Sequence, residues 1–155
     1  MATEHQYRLR TTWIGDRGTG TSGYRDYDRT VRVSIAGKSD IIASADPTFR
    51  GDASLHNPED MLLGALSQCH LLSYLHACVS RGVVVTHYED DAVGVMTTAG
   101  NGGHFVSVTL HPHVRVAQES MIEDAIAAHD DAHEWCFIAN SVNFPVHHEA
   151  HVGLA

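Results

Sequence analysis

The sequence has few basic residues for its size. Ten Lys and Arg stand against 19 Asp and Glu among 155 residues, which gives a formal net charge of −9 at pH 7. Proteins that bind nucleic-acid backbones usually carry a basic face or stripe, so this balance argues against a nucleic-acid partner. Length and composition are those of a globular protein, and we expect a single domain over residues 1–155.

The sequence also lacks an uninterrupted hydrophobic run. The N-terminal segment MATEHQYRLR has no apolar stretch of the kind that a signal peptide needs. The most apolar region, residues 61–79, is too polar to span a bilayer comfortably. The polar side chains that interrupt it include Gln68, His70, Ser73 and His76. We therefore expect a cytoplasmic protein without a membrane partner.

Cysteine is scarce and odd in number. The three positions are Cys69, Cys78 and Cys136, and an odd count does not describe a structural disulfide framework. The residues alone leave two interpretations open, buried thiols that act as small hydrophobes and reactive thiols. Cys78 follows Cys69 by nine positions on the same predicted helix, and we interpret it as a core thiol.

Hydrophobic periodicity predicts an α+β fold, with an antiparallel sheet and one long central hydrophobic helix. Asn57 can cap this helix, Pro58 suits its first position, and it should end near Ser80, before Gly82. Because the helix is apolar on most sides, we expect it in a core or an interface. A second helix is predicted over residues 120–134. Predicted strands cover residues 7–14, 31–35, 83–88, 92–98, 105–110, 113–116 and 147–153.

Three motifs in the chain resemble those of one family. The first is NPEDMLLGALSQCH at 57–70, and the second is AHEWCFIANSVNF at 132–144. The third comprises WIGDRGTGT at 13–21 and YRDYDR at 24–29. The motifs follow the family's order and span nearly the whole chain. On these residues the chain is identified as a member of the OsmC/Ohr family of osmotically inducible and organic hydroperoxide resistance proteins.

The resemblance implies a function and an assembly. It implies an OsmC-like fold that forms an intertwined homodimer, with two active sites at the dimer interface. It implies a thiol-dependent peroxidase for organic hydroperoxides, with hydrogen peroxide as a second candidate substrate. Cys69 would attack the peroxide, Cys136 would resolve the product as a disulfide, and an external dithiol reductant would reopen it. No metal or cofactor is implied.

A Glu and an Arg organise the thiolate in proteins of this family. Glu59 matches the Glu of the helix motif, and Arg29 fits the pattern Tyr-x-x-Tyr-x-Arg. Arg29 is therefore preferred, ahead of Arg17 and then Arg25. Glu59 and Cys69 are ten residues apart on one helix, hence about 15 Å apart along its axis. We hypothesise that Glu59 serves the partner subunit's Cys69.

The resemblance leaves the preferred peroxide open. Phe137 follows the second cysteine, where the hydroperoxide-reductase branch typically has Pro. Four apolar side chains could form a pocket that favours organic hydroperoxides: Leu66, Trp135, Phe137 and Phe144. Such a pocket remains a hypothesis at the level of sequence.

Two other function classes remain open. The first is a small-molecule binding or stress protein that keeps the OsmC fold but has inert cysteines. The second is a metalloprotein built on His129 and His133, whose i, i+4 spacing on a helix can bind a metal. The metalloprotein would need a further ligand, which the sequence does not indicate.

Overall fold

The computed structural model of the protein describes residues 3–155. Met1 and Ala2 lie outside the described residues, and with them the start of the segment in which no signal peptide is expected. The chain divides into two compact units, Met1–Met61 and Leu62–Ala155. The expectation of one domain over residues 1–155 stays a prediction.

Residues 3–155 contain nine β-strands and two α-helices, which confirms an α+β fold. Three short 3₁₀ turns lie between them, at Pro47–Phe49, Glu119–Met121 and Ala139–Ser141. In chain order the main elements are β1 (Arg10–Trp13), β2 (Val31–Ser34), β3 (Ile41–Ala43), α1 (Pro58–Ser80), β4 (Val85–Asp90), β5 (Val93–Ala99), β6 (Gly102–Leu110), β7 (Pro112–Val116), α2 (Ile122–Trp135), β8 (Val146–His148) and β9 (His151–Leu154).

The first unit holds an antiparallel sheet in the order β1–β2–β3. β1 and β2 lie within predicted strands and form an antiparallel hairpin, whereas the pattern does not predict β3, which is only three residues long. The long loop between β1 and β2 closes on itself, because the amide of Asp28 donates to the carbonyl of Gly15 at 2.8 Å. A Cβ at Gly15 would lie 2.0 Å from the carbonyl oxygen of Asp28, so only glycine fits there.

The second unit contains three pairs of consecutive strands, β4–β5, β6–β7 and β8–β9, and the chain bends once within each pair. β4 and β5 pair antiparallel with β7 and β6, while β8 and β9 pair parallel with β6 and β7. The parallel pairs keep the same register across the bend, since Leu110 pairs with His148 and His113 with His151. The predicted antiparallel pairing is confirmed, and the two parallel pairs add to it. The predicted final strand, residues 147–153, consists of two strands, one in each sheet.

Polar side chains fasten this bend to α1. The carboxylate of Asp90 accepts a hydrogen bond from the amide of His111 at 2.7 Å and another from the hydroxyl of Ser67 on α1. The His111 ring makes a 2.9 Å hydrogen bond with the carbonyl of Asp91, and its Nε2 lies 3.6 Å from Glu149. The bend therefore has a fixed position relative to the helix.

The bounds of α1 follow from its end residues. The side chain of Asn57 accepts from the amide of Asp60 at 2.8 Å, and that of Asp60 accepts from the amide of Asn57 at 3.2 Å. This reciprocal cap satisfies amides that a helix leaves free at its start. Gly82 has a φ of 70° just beyond the last turn, and the amide of Val83 donates back to the carbonyl of Cys78 at 2.8 Å. The predicted start and end are confirmed.

α1 buries one stripe of side chains and exposes the opposite face. Its buried positions recur at helical spacing: Leu66, His70, Tyr74, Ala77 and Cys78. Apolar side chains on the opposite face are exposed: Leu72 at 59%, Leu75 at 39% and Val79 at 76%. The rest of the chain therefore covers only one side of α1, although the helix is apolar on most sides.

Length and composition alone would also allow α1 to cross a membrane, and among residues 3–155 it is the one helix with this property. The buried core helix of a globular protein can have the same length and composition. The expectation that the protein has no membrane partner therefore stays a prediction.

α2 lies against the buried stripe of α1 with small side chains. Its fully buried alanines are Ala125, Ala128 and Ala132. They share one apolar cluster with Tyr74, whose hydroxyl donates to the carbonyl of Ala125 at 3.0 Å. Where α1 ends, the guanidinium of Arg81 donates to the carboxylate of Asp131 at 2.7 Å. The two helices are thus joined by hydrogen bonds as well as by apolar packing.

A pair of buried histidines also joins the two helices. Nε2 of His70 and Nδ1 of His129 lie 3.0 Å apart, so one ring nitrogen donates and the other accepts. Both residues are 1% exposed. The rings of Tyr74 and His148 stack on the pair, at centroid distances from 3.9 to 5.7 Å. We call these four residues the histidine stack.

We expect the free energy of unfolding to fall as the pH drops from about 6.5 to about 4. Burial is the main cause that lowers the pKa of His70 from 6.5 to about 4 and that of His129 to about 3. The unfolded chain therefore binds protons that the folded chain excludes, and stability is complete only above the unfolded pKa. His70 alone should account for about 3 kcal/mol. Chemical denaturation at several pH values measures this loss.

The double variant His70→Gln/His129→Asn lacks both titrations, so its free energy of unfolding should depend less on pH. His104→Gln removes an exposed histidine and serves as the matched control, with the wild-type pH dependence. An equal loss of stability in the wild type and the double variant would contradict the prediction.

Candidate functional site

The structure brings together two cysteines that are far apart in sequence. Cys69 lies on α1 and Cys136 directly follows the last residue of α2, yet the Cys69 thiol is near enough to raise the pKa of Cys136. Both are free thiols. A pair in this relation can form a disulfide if the backbone geometry allows their Cα atoms to lie within about 7 Å.

Cys136 is held by the turn that ends α2. It is the first residue with extended dihedral angles, at φ −71° and ψ 106°, and its Sγ accepts the amide of Ala139 at 3.4 Å. The amide of Asn140 donates to the carbonyl of Cys136 at 3.0 Å, and its side chain donates to the carbonyl of Glu134 at 2.8 Å. The thiol therefore has a defined position at the end of the helix.

The two thiols differ in exposure. Cys136 is 1% exposed, and its pKa is raised to about 11, first by burial and second by the neighbouring Cys69 thiol. Cys69 is half-buried in the middle of α1. Since only the thiolate is a good nucleophile, the buried thiol with the raised pKa is the poorer first nucleophile. The asymmetry favours Cys69 as the thiol that a substrate meets first.

Cys78 has a different environment. It is 1% exposed and belongs to the apolar cluster of Tyr74 and the alanines of α2. Burial raises the pKa of its thiol. The interpretation of Cys78 as a core thiol is confirmed.

The three arginine candidates lie in the first unit, in the loop between β1 and β2. The guanidinium of Arg29 donates to the carbonyls of Tyr24 and Tyr27, at 2.7 Å each. It also stacks on both tyrosine rings, at 4.5 and 4.0 Å from their centroids. The two tyrosines of the pattern Tyr-x-x-Tyr-x-Arg thus hold one guanidinium in a fixed position. Its proposed role toward a thiolate stays a prediction.

Arg17 is held in the same loop by different partners. Its guanidinium donates to the carbonyls of Arg25 and Asp26 and lies 3.7 Å from the carboxylate of Asp28. Half of its side chain is exposed, so the ion pair is screened by water. Arg17 and Arg25 stay alternatives to Arg29 for the catalytic role.

Glu59 lies in the first turn of α1, and the helix continues without a break to Ser80. Its Oε2 is buried and has no hydrogen-bond partner among residues 3–155. A buried carboxylate oxygen without a donor is costly, so this atom indicates a place for a donor that the described chain does not supply.

The four apolar residues of the hypothesised pocket occupy two different environments. Leu66 is 1% exposed, and Phe144 packs with it in an apolar cluster beneath β6. Trp135 and Phe137 are on the surface, at 40% and 81% exposure. A groove of about 290 Å³ does exist, but it lies on the sheet of β4, β7 and β9 and includes neither Cys69 nor Cys136.

The histidines of α2 both lie beside His148. The centroid of the His148 ring is 5.7 Å from that of His129 and 5.9 Å from that of His133, and His129 also contacts His70. Within residues 3–155 no group of three or more His, Cys, Asp or Glu side chains is arranged to hold a metal ion. The third ligand that the metalloprotein interpretation needs is therefore absent from the part of the chain that the structure describes.

Sequence reasoning missed the contact between His70 and His129. The two residues are 59 positions apart, and local spacing instead associates His129 with His133 and His70 with His76. A usable signal was present, because His70 falls on the same helical stripe as Leu66 and Tyr74. A histidine on a buried stripe needs a polar partner from another element.

Comparison with known proteins identifies a family and similar folds. The model of the family described as OsmC-like protein matches residues 51–151. Among solved structures, an OsmC-like protein of unknown function from Vibrio cholerae is 29% identical, covers 96% of this chain and 100% of that chain, and has a TM-score of 0.85. None of the curated proteins matches the chain.

Two proteins named for organic hydroperoxide resistance share the fold. The one from Elizabethkingia anophelis is 17% identical over 99% of this chain and 100% of that chain, with a TM-score of 0.69. The one from Legionella pneumophila is also 17% identical, over 97% and 100% of the two chains, with a TM-score of 0.68. Since the family model covers well over half of the 155 residues, the chain belongs to the OsmC-like protein family.

Proposed function

We propose that this protein is a thiol-dependent peroxidase that reduces organic hydroperoxides. The observation that carries the proposal is the adjacency of two free thiols, one half-buried and the other fully buried. Proteins of the same fold that are named for organic hydroperoxide resistance support this substrate class. Hydrogen peroxide is the second candidate substrate.

The proposed cycle has three steps. The Cys69 thiolate attacks one peroxide oxygen, the O–O bond breaks, and the alkoxide leaves and takes up a proton to give the alcohol. Cys69 is then a sulfenic acid. The thiolate of Cys136 attacks its sulfur, which forms the disulfide and releases hydroxide, so that the net product is water. An external dithiol reduces the disulfide by exchange and is itself oxidised to a disulfide.

The preferred arginine in this proposal is Arg29. A guanidinium near the reacting atoms would stabilise the thiolate and offset the negative charge on the departing oxygen. The contacts of Arg29 with Tyr24 and Tyr27 use two of its five N–H donors, so three remain for other partners. The rate of Cys69 oxidation in the alanine variants of Arg29, Arg17 and Arg25 separates the three candidates.

The proposal includes a homodimer. Leu72, Leu75 and Val79 form an exposed apolar stripe on α1, and a second copy of the chain would remove this stripe from water.

We also propose the cytoplasm as the location, because dithiol reductants there keep thiols reduced.

Thiol counting and intact mass test the proposal directly. One equivalent of cumene hydroperoxide should consume two thiols of the wild type and form a disulfide between Cys69 and Cys136. The Cys136→Ser variant should stop at a sulfenic acid that a trapping reagent captures, and Cys69→Ser should not react. Cys78→Ser is the matched control, with wild-type behaviour.

Unchanged thiols under excess peroxide would contradict the proposal. The chain would then be a protein of this fold with inert cysteines, and small-molecule binding would become the leading function. Ligand binding to the reduced protein would be the next measurement.

The pH dependence of disulfide closure gives a second prediction. The rate constant for closure should rise about tenfold per pH unit between about pH 6 and about pH 9, because the thiolate fraction of Cys136 rises at that rate below its pKa. Burial is the larger cause of the raised pKa and persists after Cys69 is oxidised. Rapid mixing with acid quench and mass analysis measures closure. A plateau near pH 8.5, the ordinary pKa of a free thiol, would contradict this prediction.

Mixing two inactive homodimers tests whether Glu59 acts across the dimer. After subunit exchange between Glu59→Gln and Cys69→Ser proteins, a heterodimer has one site that combines an intact Cys69 with the partner's intact Glu59. Peroxidase activity should therefore return. If Glu59 serves the Cys69 of its own chain, each site of the heterodimer keeps a lesion and no activity returns. Native mass analysis of the same mixture follows the subunit exchange, because the Glu59→Gln and Cys69→Ser subunits differ in mass.

A further inference from the structure

The histidine pair lies between the two elements that carry the reactive thiols. His70 is the neighbour of Cys69 on α1, and His129 lies on α2 two helical turns before Cys136. Their 3.0 Å contact is a direct polar link between the helices, with both side chains 1% exposed. Neither histidine takes part in the proposed cycle.

Resting on the proposed function, we propose that the hydrogen bond between His70 and His129 positions Cys136 against Cys69 for disulfide closure. Both histidines are positioning residues, since they act through the helices on which the cysteines lie. The contact should set the rate of closure and the stability of the disulfide, and leave the attack of Cys69 on peroxide unchanged.

The geometry of a disulfide makes closure sensitive to small shifts between helices. The bond needs a narrow range of Cα separations and a dihedral angle near 90°. Cys136 is the first residue beyond the end of α2, so a shift or rotation of α2 moves its thiol directly. A hydrogen bond between ring nitrogens fixes both the distance between the helices and their rotation at this point.

The surrounding rings leave the pair with one arrangement. Tyr74 stacks on His129 at a centroid distance of 3.9 Å and anchors its own hydroxyl on the carbonyl of Ala125. The ring of His148 lies 5.5 Å from that of His70 and 5.7 Å from that of His129. Neither histidine can take another rotamer without displacing these rings, because protein interiors are close-packed.

One unpaired nitrogen indicates that the histidine pair does more than fill the core. Nε2 of His129 is buried and has no hydrogen-bond partner among residues 3–155. Leaving a buried polar atom unpaired is unfavourable, and an apolar side chain of similar shape would avoid that loss. What an apolar side chain lacks is a directional contact with His70. The pair therefore contributes a defined geometry at the expense of stability.

Burial keeps the pair neutral, which makes its effect independent of pH near neutrality. The titratable groups nearest the pair are Tyr74 on α1, His133 on α2 and His148 on β8; Tyr88 on β4 lies beside Tyr74, and Asp130 lies 3.5 Å from His148. Burial lowers the pKa of both histidines to about 4 or less, so both are neutral above about pH 6.

Single-turnover kinetics test the proposal on the full-length protein. His129→Leu removes the hydrogen bond, whereas His129→Asn keeps a donor and an acceptor close to the position of Nδ1. Closure should slow about tenfold in His129→Leu and return to within about twofold of wild type in His129→Asn. Trapping of the sulfenic acid should give the wild-type rate of Cys69 oxidation in both. His133→Gln, an exposed histidine on the same helix, is the matched control.

Two further readouts distinguish positioning from acid–base or purely structural roles. The ratio of closure rates between wild type and His129→Leu should stay constant between about pH 6 and about pH 8, because neutral histidines do not titrate there. At high peroxide, His129→Leu should accumulate more sulfinic acid on Cys69, since its sulfenic acid persists longer. Closure at the wild-type rate in His129→Leu, or equal slowing of both steps, would overturn the proposal.

A measurement without peroxide separates this inference from the proposed function. The equilibrium constant of the Cys69–Cys136 disulfide against glutathione should fall about tenfold in His129→Leu and recover in His129→Asn. If the wild type does not react with peroxide, the function fails while this equilibrium still tests the positioning. If the wild type reacts and the equilibrium is the same in all variants, the inference alone fails. Should His129→Leu not fold, His70→Phe, paired with His70→Gln as its rescue, carries the same expectations.

Discussion

The burial of one stripe of α1 is the constraint on which the rest of the second unit depends. Leu66 and Tyr74 on this stripe each lie in one of the two apolar clusters, so a single helix joins the core beneath β6 to the core that α2 covers. The bent strands contact the same helix through Asp90 and Ser67. Any rotation of α1 would expose both clusters together, which makes the orientation of Cys69 a consequence of core packing.

Much of the fold could be predicted from local patterns, and the errors have a common cause. The ends of α1 were predictable because Asn57, Pro58 and Gly82 act within a few residues of the helix. β3 was missed because three residues do not establish a period. The parallel pairing of β8 with β6 and of β9 with β7 was also missed, since no local pattern records which distant strand becomes the neighbour.

The candidate site shows the same division between local and distant information. Neither periodicity nor spacing could place Cys69 beside Cys136, and the expectation that they meet came from the family resemblance alone. The partner of His70 was invisible because it lies on another helix. In the first unit, the tyrosines around Arg29 give a local physical reason for a motif that the sequence presents only as a pattern.

The shared register of β8 and β9 has a consequence for strand slippage. Leu110 pairs with His148, and the same register continues past the bend, so the two short strands can shift only as one unit. A shift by one residue would turn His148 away from the helices and bring His147 to that face. An imidazole would still reach the stack, while Val146 of β8 and Val152 of β9 would face the wrong side. Because His147 and His148 are adjacent, a misaligned chain would still place an imidazole in the histidine stack.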